Sequence, residues 1–258
     1  MDKGLLVISF GTSFRDTCEK TIVAIEKDLR DAFPDRLFYR AWTSSIIRKK
    51  IMERDKLVIL SPEEALEQMA DDGIKDVLIQ PTHMLAGGEF DKVVAALEPR
   101  MDAFEKAVIG RPLMENEEDI RSFAATLAEI TGDLKEDEMA VFMGHGSSET
   151  KIPVYERIND FCAVAGRSNI CVGTVEFEPG IAPVLAKVAD RKPRQVFLQP
   201  LLIVAGDHAN NDMAGDDDDS WKNQIGKLGP EVTCIVKGLG EYEAIRRMYV
   251  EHAKKALE

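Results

Sequence analysis

Short apolar runs alternate with helical stretches along almost the whole chain, and this alternation limits the possible folds more than any other feature. The run LLVI at 5–8 leads into a helical stretch at 17–33, and Ser61, Pro62 and Glu64 mark a capped helix start. Continuous apolar strands alternating with helices are typical of parallel sheets covered on both faces, with right-handed crossovers. The sequence therefore predicts an α/β protein, with further strands near 37–39, 77–79, 107–109, 139–143, 171–175, 195–202 and 232–236.

The two halves of the chain also resemble each other. VISFGTS at 7–13 is similar to FMGHGSS at 142–148, and VLIQP at 77–81 is similar to VFLQP at 196–200. In the second pair, an Ala-Gly follows at the same distance in both halves. Two matches in the same order indicate an internal duplication. We predict two similar α/β domains, 1–131 and 132–258, that are divided near a polar turn and pack around a shared cleft.

The charge balance excludes some classes of partner. The net charge of −13 argues against a general nucleic-acid surface or an anionic-membrane surface, because both need clustered Lys and Arg. No run approaches the roughly 18 apolar residues of a membrane span, and no signal peptide is visible. The 4 cysteines lack CxxC spacing, which favours buried thiols over disulfides or zinc ligands. We expect a cytoplasmic protein without nucleic-acid or membrane partners, and the oligomeric state stays open.

Two histidines and a carboxylate follow strand-like runs of the second half. His145 comes after 139–143, Glu176 ends the run that begins at 171, and His208 follows 195–202 and a short turn. Open parallel sheets bind ligands at the carboxyl ends of their strands, so these groups predict an open divalent-metal site. Such ligands suit cobalt, nickel, iron and zinc without choosing among them. Gly144 and Gly146 would let a large flat ligand approach closely. The alternative is that the histidines are ordinary loop residues.

Other features have both a functional and a structural interpretation. His83, just past a strand, is either a proton donor or substrate contact, or a hydrogen-bonded histidine at a strand end. The acidic run at 216–219 is better explained as a helix start than as a collar that concentrates cations. The basic residues are either a solvated helix face or a grip for carboxylates; they are Arg40, Arg48, Lys49, Lys50 and Arg54. His252 is expected on the solvated surface.

Several common catalytic motifs are absent. The chain has no HExxH, no Walker loop, no GxGxxG after a strand and no GxSxG. A zinc hydrolase, nucleotide binding and acyl-transfer chemistry therefore lose support.

Several segments match one known family. The most specific is VAGDHANNDM at 204–213, and GHG at 144–146 and the strand end at Glu176 fit the same pattern, as do segments at 9–13, 16–20, 43–44, 47–49, 218–222 and 238–241. The chain thus resembles the anaerobic sirohydrochlorin cobaltochelatases of cobalamin biosynthesis, a class II chelatase family. The resemblance implies two similar α/β domains, each with a parallel sheet flanked by helices, and a tetrapyrrole cleft between them. In that family the final helix commonly packs back toward the first domain, so the assignment of 241–258 stays open.

The resemblance also implies roles for the second-half residues. His145, Glu176 and His208 would bind Co²⁺ as the substrate metal, and His145 would also be the base. Because the segment after Glu176 departs from the family's pattern, Glu178 is an alternative ligand. The position after Thr174 and Val175 favours Glu176.

In the first half, Phe10, His83 and Glu89 would contact the tetrapyrrole. Glu89 lies in a segment that also departs from the family's pattern, and Phe10 is alternatively a core residue. The internal repeat aligns Phe10 with His145 and Glu89 with His208. We therefore expect one metal site, held by the C-terminal half, while the N-terminal half positions the ring.

The implied activity is insertion of Co²⁺ into sirohydrochlorin or precorrin-2, without ATP or a nucleotide. Two pyrrole N–H protons must leave the macrocycle, and a neutral imidazole is suited to accept them. The alternatives are a sirohydrochlorin ferrochelatase, a nickel chelatase, a protoporphyrin ferrochelatase, or a non-catalytic tetrapyrrole or metal carrier.

Overall fold

Two four-stranded, all-parallel sheets with the same strand order form the framework of the chain. The computed structural model describes residues 2–150 and 152–258. The chain divides into two compact units, the first formed by the chain up to Glu115 together with Arg246–Glu258, and the second by Asn116–Ile245. The predicted pair of α/β domains, each a parallel sheet flanked by helices, is confirmed, and the expected cleft stays a prediction.

The sheet of the first unit has the strand order β2-β1-β3-β4. The inner strand β1 carries a continuous apolar run, as expected for a strand that is covered on both faces. Its four residues from Leu5 to Ile8 are all 0% exposed. The strands are β1 (Lys3–Ser9), β2 (Leu37–Trp42), β3 (Asp76–Pro81) and β4 (Lys106–Ile109). The helices are α1 (Arg15–Lys20), α2 (Ile22–Ala32), α3 (Ser45–Asp55), α4 (Pro62–Asp71) and α5 (Gly88–Met101).

The second unit repeats this arrangement with the strand order β6-β5-β7-β8. One face of its sheet packs in an apolar cluster around Met139, Val141 and Leu198. The strands are β5 (Glu138–Gly144), β6 (Ile170–Thr174), β7 (Gln195–Leu201) and β8 (Glu231–Cys234). The helices are α6 (Glu117–Thr131), α7 (Val154–Val164), α8 (Ala182–Arg191) and α9 (Trp221–Gly226), and a π-helical turn covers Ala209–Met213. The last helix, α10 (Glu243–Lys255), only begins in this unit.

The boundary between the units lies between Glu115 and Asn116, not near residue 131 as we expected. The helix α6 belongs to the second unit because it packs against α7, where Arg157 forms an ion pair with Glu117 at 2.8 Å. The polar turn at 131–133 is therefore the connection from α6 to β5, not an interdomain linker.

The last helix is divided between the two units, because its residues from Arg246 onward belong to the first unit. There Arg246 donates from Nε to Asp28 at 2.6 Å, and the Tyr249 hydroxyl donates to the carbonyl of Thr82 at 2.7 Å. His252 follows Tyr249 by one helical turn, lies on the same packed face and is 6% exposed. Our expectation of a solvated His252 was wrong because the helix buries this face.

The expectation of buried thiols holds in part. Cys18, Cys162, Cys171 and Cys234 are all free, but only Cys162 and Cys171 are buried, while Cys18 and Cys234 are partly exposed. No helix among the described residues is both long and apolar enough to span a membrane.

The backbone repeats the duplication seen in the sequence. After β1, the carbonyls of Ser9 and Phe10 accept hydrogen bonds from the next two residues after β2, Thr43 and Ser44, at 2.9 and 3.2 Å. After β5, the carbonyls of Gly144 and His145 accept the same bonds from Val175 and Glu176, both at 2.9 Å. The corner that carries His145 and Glu176 therefore has a backbone counterpart at Phe10 and Ser44.

Candidate metal centre

Three side chains of the kinds that bind metals meet at the carboxyl ends of β5, β6 and β7. His145, Glu176 and His208 each offer a ligand atom, and these atoms lie within 4.8 Å of one another. Nε2 of His145 is 3.8 Å from Oε2 of Glu176, and the two imidazole rings are 5.0 Å apart at an interplanar angle of 83°. The side chains of His145 and Glu176 are 46% and 49% exposed, so the site is open to solvent.

The ring of His145 is oriented by its own loop. Nδ1 lies 3.1 Å from the carbonyl oxygen of Gly146, and this contact is a hydrogen bond when Nδ1 carries the proton. In that tautomer Nε2 is unprotonated and presents its lone pair on the side of Glu176. A neutral imidazole held this way can bind a cation or accept a proton.

The ring of His208 is oriented by a carboxylate. Nδ1 of His208 donates to Oδ2 of Asp212 at 2.8 Å, across one turn of the π-helical segment. Metal-binding histidines commonly donate their second N–H to a carboxylate, which fixes the tautomer and makes the free nitrogen more basic. The sequence analysis missed this role of Asp212, although the spacing of four residues between the two groups is the signal that indicates it.

Gly144 and Gly146 are needed for packing inside the unit. A Cβ on Gly144 would lie 2.5 Å from the ring of Tyr155, and a Cβ on Gly146 would lie 2.0 Å from the carbonyl oxygen of Glu176. Gly146 also has a φ of +96° and donates its N–H to the Tyr155 hydroxyl at 3.1 Å. Burial raises the pKa of Tyr155, so this hydroxyl stays neutral. Gly146 thus lets the His145 loop lie directly against the Glu176 loop, and Gly144 leaves room for the ring of Tyr155. The expected access for a flat ligand stays a prediction.

Glu176 lies in a turn that is held by hydrogen bonds of the Thr174 hydroxyl. The Thr174 hydroxyl donates to the carbonyl of Phe177 at 2.8 Å and accepts from the N–H of Gly180 at 2.9 Å. Among the described residues, Glu176 and not Glu178 takes part in the three-residue cluster. The geometry thus favours Glu176 in the choice that the sequence left open.

The first-unit residues predicted to contact a tetrapyrrole differ in exposure. Phe10 is 51% exposed, which excludes the core position that was its alternative. The Glu89 side chain is 55% exposed and pairs with Lys92 at 2.6 Å. Both ring nitrogens of His83 are buried and have no hydrogen-bond partner among the described residues. His83 is therefore not the hydrogen-bonded histidine at a strand end that was the alternative. Burial lowers the pKa of His83 to about 4, and nearby Glu89 opposes this only in part.

The basic patch is largely bound to other protein groups. Arg40 forms a two-pronged ion pair with Glu26, a carboxylate that is 1% exposed. The other pairs are Arg48 with Glu64 at 3.1 Å, Lys49 with Glu53 at 3.9 Å, Lys50 with the Ser13 hydroxyl at 3.2 Å and Arg54 with Asp55 at 2.7 Å. To bind an anionic ligand, these basic side chains would have to give up their present partners. The structure therefore favours the interpretation that they stabilise the first unit.

The acidic run agrees with a helix start. Ser220 caps α9 by accepting from the N–H of Asn223 at 3.3 Å, and Lys222 pairs with Asp216 at 2.8 Å.

Comparisons with known proteins identify the family. A family model described as "Cobalt chelatase (CbiK)" matches residues 3–258. The chain belongs to the cobalt chelatase (CbiK) family. This confirms the family resemblance seen in the sequence and places the chain among metal chelatases.

Two curated relatives of this CbiK-family chain carry matching names. A sirohydrochlorin cobaltochelatase of Salmonella typhimurium (strain LT2) is 41% identical over 257 residues, covering 100% of this chain and 97% of the relative. The sirohydrochlorin cobaltochelatase CbiKC of Nitratidesulfovibrio vulgaris (strain Hildenborough) is 32% identical over 260 residues, covering 99% of this chain and 90% of the relative.

A solved structure supports the chelatase fold. SirB from Bacillus subtilis with Fe³⁺ matches with a TM-score of 0.67 at 13% identity, covering 99% of this chain and 96% of that chain.

Proposed function

We propose that this protein inserts Co²⁺ into sirohydrochlorin or its reduced form precorrin-2, as a cytoplasmic enzyme of anaerobic cobalamin biosynthesis. The observation that carries the proposal is the His145, Glu176 and His208 cluster in a chain of the CbiK family, whose ligand atoms lie within 4.8 Å of one another. The names of the curated relatives support sirohydrochlorin as the tetrapyrrole.

The three side chains would hold the substrate cation before its transfer. Two imidazoles and one carboxylate suit a borderline divalent cation such as Co²⁺, and the carboxylate offsets part of its charge. Three protein ligands leave coordination positions for water and for the pyrrole nitrogens. The exposure of His145 and Glu176 supports access by a macrocycle.

Proton removal would be coupled to release of the metal. Nε2 of His145 cannot hold a cation and a proton at once, so its lone pair becomes free only as Co²⁺ moves onto the macrocycle nitrogens. It then accepts one of the two pyrrole protons, while the bond from Nδ1 to Gly146 keeps the ring in place. The second pyrrole proton passes to water at the exposed site, so that one Co²⁺ replaces two protons. The charges balance in this exchange, and we propose that it requires neither ATP nor a nucleotide.

Residues of the first unit would serve the tetrapyrrole. We propose that Phe10, His83 and Glu89 contact it, with the exposed ring of Phe10 as an apolar surface. The buried nitrogens of His83 lack partners in the part of the chain that the structure describes, and a polar group of the ligand would supply one.

The test is a turnover assay with purified protein, sirohydrochlorin and one divalent cation at a time. The absorbance change is followed with Co²⁺, Fe²⁺ and Ni²⁺, and more than one product per chain demonstrates an enzyme. We expect Co²⁺ to be inserted fastest. Binding of the tetrapyrrole without turnover would instead indicate a carrier, and a faster reaction with Fe²⁺ or Ni²⁺ would identify a chelatase for that metal.

Variants assign the reaction to the site. We expect His145→Ala and His208→Ala each to lower kcat by on the order of a hundredfold or more while the circular dichroism spectrum stays native. Near-normal turnover of both folded variants would contradict the assignment of this cluster as the metal centre.

A further inference from the structure

Phe177 combines an exposed aromatic ring with an unfavourable backbone conformation beside the candidate metal centre. Its side chain is 52% exposed, and it directly follows Glu176. Its φ of +55° lies in the left-handed region, which disfavours side chains larger than that of glycine. An isolated turn would gain stability from a glycine here, so packing and local propensity give no reason for the aromatic ring.

The surrounding bonds hold Phe177 in this conformation. Its carbonyl accepts from the buried hydroxyl of Thr174 at 2.8 Å, and the preceding N–H, that of Glu176, donates to the carbonyl of His145 at 2.9 Å. Backbone strain persists where the surrounding structure over-determines it, and such positions cluster at functional sites. The segment that carries the ring is therefore fixed to the same loops that carry two of the candidate metal ligands.

We propose that the ring of Phe177 packs against the flat face of the tetrapyrrole while the metal is delivered. The proposal rests on the proposed function and names a substrate contact of the same site. Successive Cα atoms are roughly 3.8 Å apart, and a macrocycle whose centre meets a cation on Glu176 is much broader than this spacing. Such a macrocycle is broad enough to reach the neighbouring residue, whose ring is exposed.

Charge also favours an aromatic contact at this position. Sirohydrochlorin carries its carboxylates on the periphery, and its conjugated centre is flat and apolar. The protein has a net charge of −13, so the overall field repels the periphery of this ligand. Burial of apolar ring area near the metal supplies attraction that this charge does not oppose.

The experiment measures sirohydrochlorin affinity and turnover for Phe177→Leu, Phe177→Gly and Phe177→Tyr. We expect Phe177→Gly to weaken binding of the metal-free tetrapyrrole about tenfold, Phe177→Leu to weaken it less, and Phe177→Tyr to stay near wild type. The loss should appear in KM more than in kcat. Titration with Co²⁺ alone should give wild-type affinity for all three variants, because Phe177 offers no ligand atom.

A stability measurement separates this role from a structural one. Lys192, with a φ of +48° in the same unit, is the matched control for backbone strain. We expect Phe177→Gly and Lys192→Gly both to keep or raise the urea unfolding midpoint, with only the first losing tetrapyrrole affinity in buffer of physiological salt.

Three results would overturn the proposal. The first is wild-type tetrapyrrole affinity in Phe177→Leu and Phe177→Gly. The second is a loss of affinity that follows a loss of stability in all three variants. The third is a change of oligomeric state with unchanged tetrapyrrole affinity, which would assign the ring to a contact between copies of this chain. If the wild-type protein neither binds nor metallates sirohydrochlorin, the proposed function itself fails, and this inference fails with it.

Discussion

Asp212 accepts a hydrogen bond from Nδ1 of His208 at 2.8 Å, and this pair extends the candidate metal centre beyond its three ligands. The carboxylate is 46% exposed, so its effect on the imidazole is moderated by solvent. It still selects the tautomer in which Nε2 of His208 is free for a cation. The pair also means that neutralising Asp212 alters the metal site without removing a ligand.

We expect Asp212→Asn to weaken Co²⁺ binding by about 10- to 100-fold, because the amide supplies a poorer acceptor for the His208 N–H. Calorimetric titration with Co²⁺ measures this. Asp217→Asn is the matched control, since Asp217 is also exposed and lies in the acidic run, outside the cluster. Equal losses in the two variants would mean that only the general negative charge matters.

Glu176 and Glu178 can be separated by one pair of substitutions. We expect Glu176→Gln to lower Co²⁺ affinity by at least about tenfold, because the amide offers a neutral and weaker ligand to a divalent cation. Glu178→Gln should leave the affinity within about twofold, since Glu178 stands outside the cluster. The reverse order in calorimetry would assign the ligand to Glu178.

His83 should make the first unit sensitive to acid. Burial lowers its pKa to about 4, so between roughly pH 6.5 and pH 4 the unfolded chain binds a proton that the folded chain does not. The free energy of unfolding therefore falls as the pH falls through this window, by on the order of 2–3 kcal/mol. Above this window the effect is absent.

The measurement is urea unfolding of the first unit, followed through Trp42 in a Trp221→Phe background, because the chain has 2 tryptophans, one in each unit. In His83→Leu the contribution of His83 is removed, so its unfolding energy should fall less between about pH 7 and pH 4.5. Parallel pH profiles for the two proteins would contradict this prediction.

Gly146 should tolerate no side chain. Its φ of +96° and the 2.0 Å that would separate an added Cβ from the Glu176 carbonyl oxygen predict that Gly146→Ala lowers the free energy of unfolding by at least about 2 kcal/mol. It should also displace Glu176 and weaken Co²⁺ binding. Gly166→Ala is the control, because Gly166 has a φ of +74° with open space around it and should lose only about 1 kcal/mol. Similar losses at both positions would show that the contact with Glu176 is unimportant.

The architecture was predictable because local patterns and long-range pairing agree. Four fully buried residues in β1 form a continuous apolar run in the sequence. Such a run predicts a parallel strand that is covered by helices on both faces. The boundary at Glu115 was not predictable from the polar turn at 131–133. The helix α6 could have packed against α7 of the second unit or against the sheet of the first unit. The choice depends on how the side chains fit together, which cannot be inferred from the composition of the turn.

The site was predictable to the level of its strand ends. His145, Glu176 and His208 follow three adjacent parallel strands, and the topology alone brings them to one edge. The hydrogen bond from His208 to Asp212, the reason for Gly146 and the burial of His252 depend on three-dimensional contacts. The sequence contains the spacing for the first and the third, but the same spacing occurs on many solvated helices.

The matching hydrogen bonds at Phe10 with Ser44 and at His145 with Glu176 have a consequence for protein engineering. The corner at Phe10 and Ser44 in the first unit has the same backbone hydrogen bonds as the corner that carries His145 and Glu176 in the second unit. Gly11, with a φ of +98°, takes the place of Gly146. The two corners differ in their side chains and in the backbone that follows, since α3 begins directly after Ser44 and Phe177, with a φ of +55°, follows Glu176. A designer can therefore exchange donor groups between them, with Phe10→His and Ser44→Glu as the first pair, and ask how much of metal selectivity resides in the side chains and how much in the loop.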